Sequence, residues 1–369
     1  MFAVQFGRFG PPEVLTTGPF PEPHAGPGEV RIRVEAAGVA PVDLALRSGS
    51  SPSRDRLPLP HIPGVDAAGV IDEVGAGVTG AAVGEEVFGT VDVARLGGAS
   101  AEYAVLKLWA AKPPAMPWTQ AGAGGTSIET ATRALDRLGV RPGVTLLVEG
   151  AAGGVGSVVV QFAIARGARV IGTARPENHA FIARLGAVPV AYGPGLADRI
   201  RTLTLGRAEP APATLTPVAA RADRPSDVAR DDSASDVARV DPVSAVAEVD
   251  LASDVAREDR PSAVAGIDLA LDVAGAGSLP ELIAITGTPA AVLTLADFTG
   301  PRLGVGLSRG ALAGEPDGWH GLAQAAALSE QGRFRIPVQA VFPMIRAAEA
   351  HAAAAQGPRQ GKITLTARP

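Results

Sequence analysis

Cysteine is missing altogether from the 369 residues of this chain. That excludes disulfides, and with them any zinc site built on thiolate ligands. Aromatic residues make up 4% against a hydrophobic content of 46%. The core must therefore be built of Ala, Val, Leu and Ile. No apolar run approaches the roughly 18 residues that a membrane-spanning helix needs, and Phe2-Ala3-Val4-Gln5-Phe6 alternates like a strand rather than a signal peptide. A cytoplasmic protein is expected. The net charge of −5 argues against nucleic acid as a main partner.

The most informative stretch is Val148 to Gly156, VEGAAGGVG. The apolar run Val144–Val148 precedes it and reads as a buried parallel strand; Ser157–Ala165 follows and reads as a helix. Between them lies Ala-x-Gly-x-x-Gly: Ala151, Gly153 and Gly156, with Gly154 and Val155 inside the turn. Small residues here let backbone approach a pyrophosphate, and the helix N-terminus offers unpaired N–H groups to its charge. The strand–turn–helix context separates this pattern from an ordinary glycine-rich turn.

Residues 1–118 read as β-rich. Glu29–Glu35 alternates Val30, Ile32 and Val34 with charged neighbours, and 64–89 is dense in Gly and Val with frequent turns, as in a small barrel. From about Thr119 helix and strand alternate. Strands are expected at 168–173, 187–191, 267–273, 290–295 and 303–307, and a helix at 177–185. Helices near 321–331 and 342–355 and a strand at 362–366 close the chain. This is βαβ alternation, hence a doubly wound parallel sheet.

Residues 208–266 break the pattern. A nine-residue repeat places Asp232, Asp241, Asp250, Asp259 and Asp268 at successive ends and Val228, Val237, Val246, Val255 and Val264 in mid-copy. Nine residues turn a helix by about half a turn net, and an odd step also alternates faces in a strand. Neither geometry makes one apolar face. The segment has 12 acidic and 6 basic residues, six prolines and no aromatic. It is expected to be a disordered acidic insert in a surface loop.

Taken together, these motifs resemble the medium-chain dehydrogenase/reductase superfamily, in its zinc-free quinone oxidoreductase branch. The resemblance is carried by AAGGVG after VEG, AGPGEVRIRVEAAGVAPVD, IPGVDAAGVIDEVGAGVTGAAVGEEVFG, GASAEYAV, ATRALDRLGVRPG and the ending GKITL. It covers nearly the whole chain except 208–266. It implies an α/β protein with a GroES-like β-barrel domain (1–118, with a return at 301–369). A Rossmann domain with a doubly wound parallel sheet (119–300) would lie between, interrupted by the insert. A nicotinamide cofactor would lie in the cleft, and a homodimer paired edge to edge near Leu303–Leu307 is implied.

The resemblance also narrows the chemistry. Zinc-dependent members use Cys and a Gly-His-Glu triplet; here the triplet is Gly64-Val65-Asp66, so no metal is expected. His61 is expected as a loop residue at the cleft rim and Asp66 as an organiser of backbone or of the domain junction. Without a Lewis acid, alcohol oxidation loses its means of lowering the alcohol pKa. Reduction of a conjugated carbonyl or quinone remains, as charge on a distant oxygen can be stabilised by hydrogen bonds.

A NAD site wants an acid about 20 residues past the glycine turn, but the second strand ends in Gly172-Thr173-Ala174-Arg175. Thr173, Arg175, Asn178 and His179 suit a 2′-phosphate instead, so NADP(H) is the expected cofactor. The alternative for Arg175 is an exposed helix-capping charge. By resemblance, Tyr192 sits near that phosphate, core packing being its alternative, and Thr130 holds the nicotinamide carboxamide. Ala274, Gly275, Thr294, Leu295 and Ala296, after two strands, are expected to line the nicotinamide pocket.

Two departures stand out: Ala40 replaces a frequent Asn, and Thr132 replaces an aromatic. No general acid is evident. The leading expectation is an NADPH-dependent reductase of a small-molecule quinone or enone. An enoyl-thioester reductase, or a non-catalytic binding protein on the same fold, are the alternatives.

Overall fold

A computed structural model describes residues 1–92, 95–205, 266–356 and 360–367. The repeat insert, apart from Gly266, lies outside the described residues.

Alternation of buried and solvent-facing side chains shapes the first half. After the hairpin of β1 (Phe2–Gln5) and β2 (Thr16–Pro19), the strands β3 (Val30–Val39), β4 (Asp66–Val74), β5 (Glu86–Val91) and β6 (Tyr103–Ala111) pair antiparallel in order. β3 also pairs with β6, which closes a barrel. Its interior is filled by Val30, Ile32, Val34, Ile71, Val87 and Leu106. The helix α1 (Pro41–Ser48) follows β3, and α2 (Trp118–Ala121) leads out of the barrel.

Continuous apolar runs shape the second half. The helix α3 (Gly125–Arg137) precedes β7 (Thr145–Glu149), α4 (Gly154–Ala165), β8 (Arg169–Ala174), α5 (His179–Arg184), β9 (Val188–Ala191) and α6 (Leu196–Leu205). Beyond the insert come β10 (Leu269–Asp272), α7 (Leu279–Thr286), β11 (Val292–Thr294), β12 (Gly306–Leu307) and α8 (His320–Glu330). The sheet order is β12-β11-β10-β7-β8-β9 and every pairing is parallel. The order reverses beside β7, where an α/β sheet binds its ligands. The chain then returns to the barrel sheet through β13 (Val338–Pro343), α9 (Ala347–Ala355) and β14 (Lys362–Thr366), the last pairing with β3.

One expected boundary shifts. β12 belongs to the parallel sheet, and Leu322, Ala325, Leu328, Phe334 and Ile336 pack into the same core as α3 and α4. The return to the barrel falls after residue 336 rather than at 301. Periodicity could not show this, because an apolar helix reads alike against either domain. The expected strand at 303–307 is also shorter, since Gly300–Leu303 forms a 3₁₀ turn.

Candidate functional site

A cleft of about 510 Å³ opens between barrel and sheet. Its floor is the turn between β7 and α4. Gly150 takes φ +80, the left-handed turn that a side chain would disfavour. Its N–H donates to Thr173 Oγ1 (3.3 Å), and the Ala151 N–H donates to the Thr173 carbonyl (3.2 Å), so the end of β8 holds the loop. A Cβ on Gly156 would fall 2.2 Å from the Gly150 carbonyl oxygen, so only glycine lets α4 pack this close to the loop. At Gly153 a Cβ would meet nothing nearer than 3.5 Å; that glycine leaves space above the floor.

Gly153 is also the N-cap of α4 and brings no capping side chain. Gly153, Gly154 and Val155 line the cleft. The uncapped first-turn N–H groups and the open floor form a cradle that fits a pyrophosphate.

The C-terminal strand is stitched to this loop. The Gly361 N–H donates to the Ala152 carbonyl at 2.9 Å. Gln360 Nε2 donates to Asn178 Oδ1 at 2.6 Å. Lys362, buried along Gly154, reaches Asp66 Oδ2 with its ammonium at 3.3 Å. Asp66 also accepts the Thr126 N–H (2.7 Å) and hydroxyl (2.8 Å). Barrel strand, α3 and returning strand thus meet on one buried carboxylate, which organises the domain junction as expected.

At the end of β8, Thr173, Arg175, Asn178 and Tyr192 all line the cleft. Arg175 is exposed at the lip, and no side-chain hydrogen bond or ion pair among the described residues engages its guanidinium. Tyr192 is 50% exposed, which removes the core-packing alternative. Asn178 is buried and tied to Gln360, so it serves the domain contact as well. His179 does not line the cleft; its Nε2 turns back to the Ala174 carbonyl at 3.3 Å.

At the other end only Ala274 of the five expected nicotinamide-side residues lines the cleft. The N–H groups of Ala274 and Gly275 both donate to Asp272 Oδ1 (2.9 and 2.8 Å), which fixes the turn after β10. Thr294 is fully buried. Its hydroxyl donates to Asp272 Oδ2 (2.8 Å) and accepts the N–H groups of Ala296 and Asp297. The Leu295 N–H bonds to the Asp272 carbonyl at 2.9 Å. These residues brace the wall from behind. Ala151 and Gly156 likewise lie under the floor, in the helix–strand packing.

Thr130 is also away from the cleft lining. Its hydroxyl donates to Glu129 Oε2 at 3.1 Å, and Glu129 in turn pairs with Arg133. The α3 residue on the lining is Ser127, one turn nearer the loop. Thr132 is buried against Gly321 of α8 and donates to the Ile128 carbonyl; the position is helix packing, not a substrate contact. His61 departs from expectation too. It is buried behind the barrel wall, edge-on to Phe6, with Nε2 at 3.1 Å from the Leu96 carbonyl.

Much of the barrel side of the cleft is apolar, through Val39, Ala40, Pro41, Leu44 and Ile363, with Gln339 and Lys362 as its polar members. Ala40 stays in place because Asp43 caps α1, accepting the N–H groups of Ala40 (2.8 Å) and Gly64 (3.0 Å). Burial pushes the Asp43 carboxyl up to about 7, against the pull of those two donors.

Glu149, Ser127 and Lys362 also line the cleft, beyond the residues expected from the sequence. Glu149 had a signal: a carboxylate closing an apolar strand. Burial raises its carboxyl above the usual range, and Ser278 donates to it.

Comparison with known proteins agrees with this architecture. Residues 26–114 match the alcohol dehydrogenase GroES-like domain family, and residues 241–365 match the zinc-binding dehydrogenase family. The chain is 39% identical over 190 residues to a quinone oxidoreductase of Lama guanicoe, covering 48% of this chain and 54% of that protein. It is 38% identical over 168 residues to a chloroplastic NADPH-dependent alkenal/one oxidoreductase of Arabidopsis thaliana, covering 43% of each. The aligned part thus spans about half the length of these curated relatives. The quinone oxidoreductase structure from Coxiella burnetii superposes with a TM-score of 0.71 over 100% of this chain and 99% of that one, at 23% identity, a likeness of fold. With both family matches in chain order on a barrel and a six-stranded parallel sheet, the chain belongs to the medium-chain dehydrogenase/reductase superfamily and is similar to its quinone oxidoreductases.

Proposed function

We propose that this protein is an NADPH-dependent, zinc-independent reductase of a quinone or an α,β-unsaturated carbonyl. One observation carries the cofactor choice. The cleft lip at the end of β8 offers the Arg175 guanidinium, unengaged among the described residues, and the Tyr192 ring, where a NAD site would place a carboxylate. A guanidinium can make two charge-assisted hydrogen bonds to a phosphate. The relatives named for quinones and for NADPH with alkenals support the same reading.

The bound cofactor would supply the hydride. This chain's residues would do the rest of the positioning. The α4 N-terminus and the Gly153–Gly154 floor hold the pyrophosphate, and Ala274 borders the far end. The wall of Val39, Ala40, Pro41 and Leu44 presents an apolar face to a flat conjugated substrate and excludes water from it. Zinc independence rests on the absence of Cys and on Val65 between Gly64 and Asp66, with Asp66 already committed to Thr126 and Lys362.

A homodimer is proposed through β12, the open edge of the parallel sheet, flanked by the exposed Phe298 and Leu303. Light scattering at micromolar concentration should give twice the chain mass.

The test of function is turnover with NADPH and NADH across quinones, enones and enoyl thioesters. Oxidation of NADPH dependent on a quinone or enone is expected. Turnover confined to enoyl thioesters, or no turnover with tight nucleotide binding, would replace the reading.

A further inference from the structure

Glu149 is the last residue of β7, lines the cleft and is 4% exposed. The parallel register sets it beside Asp272, the last residue of β10, which is fully buried. The two carboxyl groups are unequally provided. Asp272 accepts the N–H groups of Ala274 and Gly275 on one oxygen and the Thr294 hydroxyl on the other, so both of its oxygens already have donors. Glu149 receives the Ser278 hydroxyl. The charged groups that face it are Asp272 and Glu281, both acidic. Of the cleft's two cationic side chains, Lys362 pairs with Asp66, and Arg175 lies past the end of β8, the strand beside β7.

We propose that Glu149 couples dinucleotide binding to proton uptake: as a neutral acid it tolerates the nucleotide's negative charge, and as a carboxylate it repels it. The inference rests on reading the cleft as a dinucleotide site. The physical reason is the pairing of two acids on adjacent strand ends. Asp272 collects three donors while Glu149 has one, so a charge at Glu149 faces both Asp272 and the incoming pyrophosphate in a poorly solvated cleft. A nucleotide then binds most readily to the protonated form, and the missing proton comes from solvent. Both Asp272 and the desolvation of Glu149 itself favour that form before any ligand arrives.

The test is calorimetric titration of the full chain with NADH between pH 5 and 9, in buffers of differing ionisation heat. NADH is the probe because it lacks the 2′-phosphate, which titrates near neutrality itself. The wild type should take up as much as one proton per nucleotide, with affinity falling by up to about tenfold per pH unit across that window. Glu149→Gln keeps an acceptor for Ser278 and mimics the neutral acid. It should bind with no matching proton uptake, a flat pH profile, and higher affinity than the wild type at the alkaline end. Equal proton counts in the two proteins would overturn this inference and leave the dinucleotide reading standing. No nucleotide binding at any pH would overturn both.

Discussion

Alanine at two glycines of one turn should separate a packing role from a binding role. Gly153 and Gly156 flank the start of α4. A Cβ at Gly156 would sit 2.2 Å from the Gly150 carbonyl oxygen and 2.9 Å from the Ala151 Cα. Both obstacles are backbone, so no side-chain rotation can relieve them. The helix and loop would have to part by about 1 Å to recover ordinary contact. Overpacking of this kind costs about 3 kcal/mol. Helix propensity returns about 1 kcal/mol, because alanine orders more cheaply than glycine within a helix. The net loss for Gly156→Ala is about 2 kcal/mol, or a Tm lower by roughly 4–8 °C. Gly153→Ala meets nothing closer than 3.5 Å and loses only the mild N-cap preference for glycine, under about 1 kcal/mol. Its methyl would stand on the cleft floor, so nucleotide affinity should fall at least about tenfold, or 1.4 kcal/mol, while Tm moves little. Thermal unfolding and calorimetric titration of both variants read the contrast. A Gly156→Ala protein as stable as Gly153→Ala would refute the packing argument.

Other expectations follow from the same geometry. Arg175→Ala should weaken NADPH by about 1.5–3 kcal/mol, some 10- to 150-fold, and leave NADH nearly unchanged; an equal loss for both cofactors by calorimetry would remove the phosphate assignment. Asp66→Ala strands the buried Lys362 ammonium, which should cost about 3 kcal/mol in urea unfolding. Adding Lys362→Met should recover much of that, and an unimproved double variant would show that the pair is not the source. Two buried groups should tilt stability against pH in opposite senses. Burial, with Arg47 nearby, lowers the His351 imidazole to about 4. The unfolded chain then binds more protons between about pH 4 and 6.5, and His351's contribution is lost as pH falls through that window. Asp43, pushed up to about 7, contributes stability below about pH 4 that is lost as pH rises toward 7. Relative to wild type, His351→Gln should gain stability on the acid side and Asp43→Asn should lose it there. Urea midpoints at pH 4.5 and 7 check both, and parallel curves for all three proteins would contradict the assignment.

The sequence alone determined the elements whose cause is local. The apolar run before Gly150 becomes β7, and the small residues after it become the turn and the start of α4, because backbone freedom at Gly150, Gly153 and Gly156 is written in composition. Alternation in Glu29–Glu35 likewise foretold β3, and the missing acid after β8 pointed to Arg175 at the lip. What sequence could not decide is where a side chain points once two distant segments meet. Thr130 and Thr294 sit at suitable positions along the chain, yet their hydroxyls are spent on Glu129 and Asp272. His61 turned into the barrel wall, and residues 301–336 stayed with the parallel sheet. Glu149 acquires its character from burial in the folded cleft and from Asp272, 123 positions later, brought beside it by strand register. Lys362 enters the cleft because β14 pairs with β3 and brings Gly361 onto Ala152. Local periodicity fixes which face of an element is apolar. Partners for polar groups are fixed by long-range packing, because a buried donor takes whichever acceptor the tertiary fold carries within its reach.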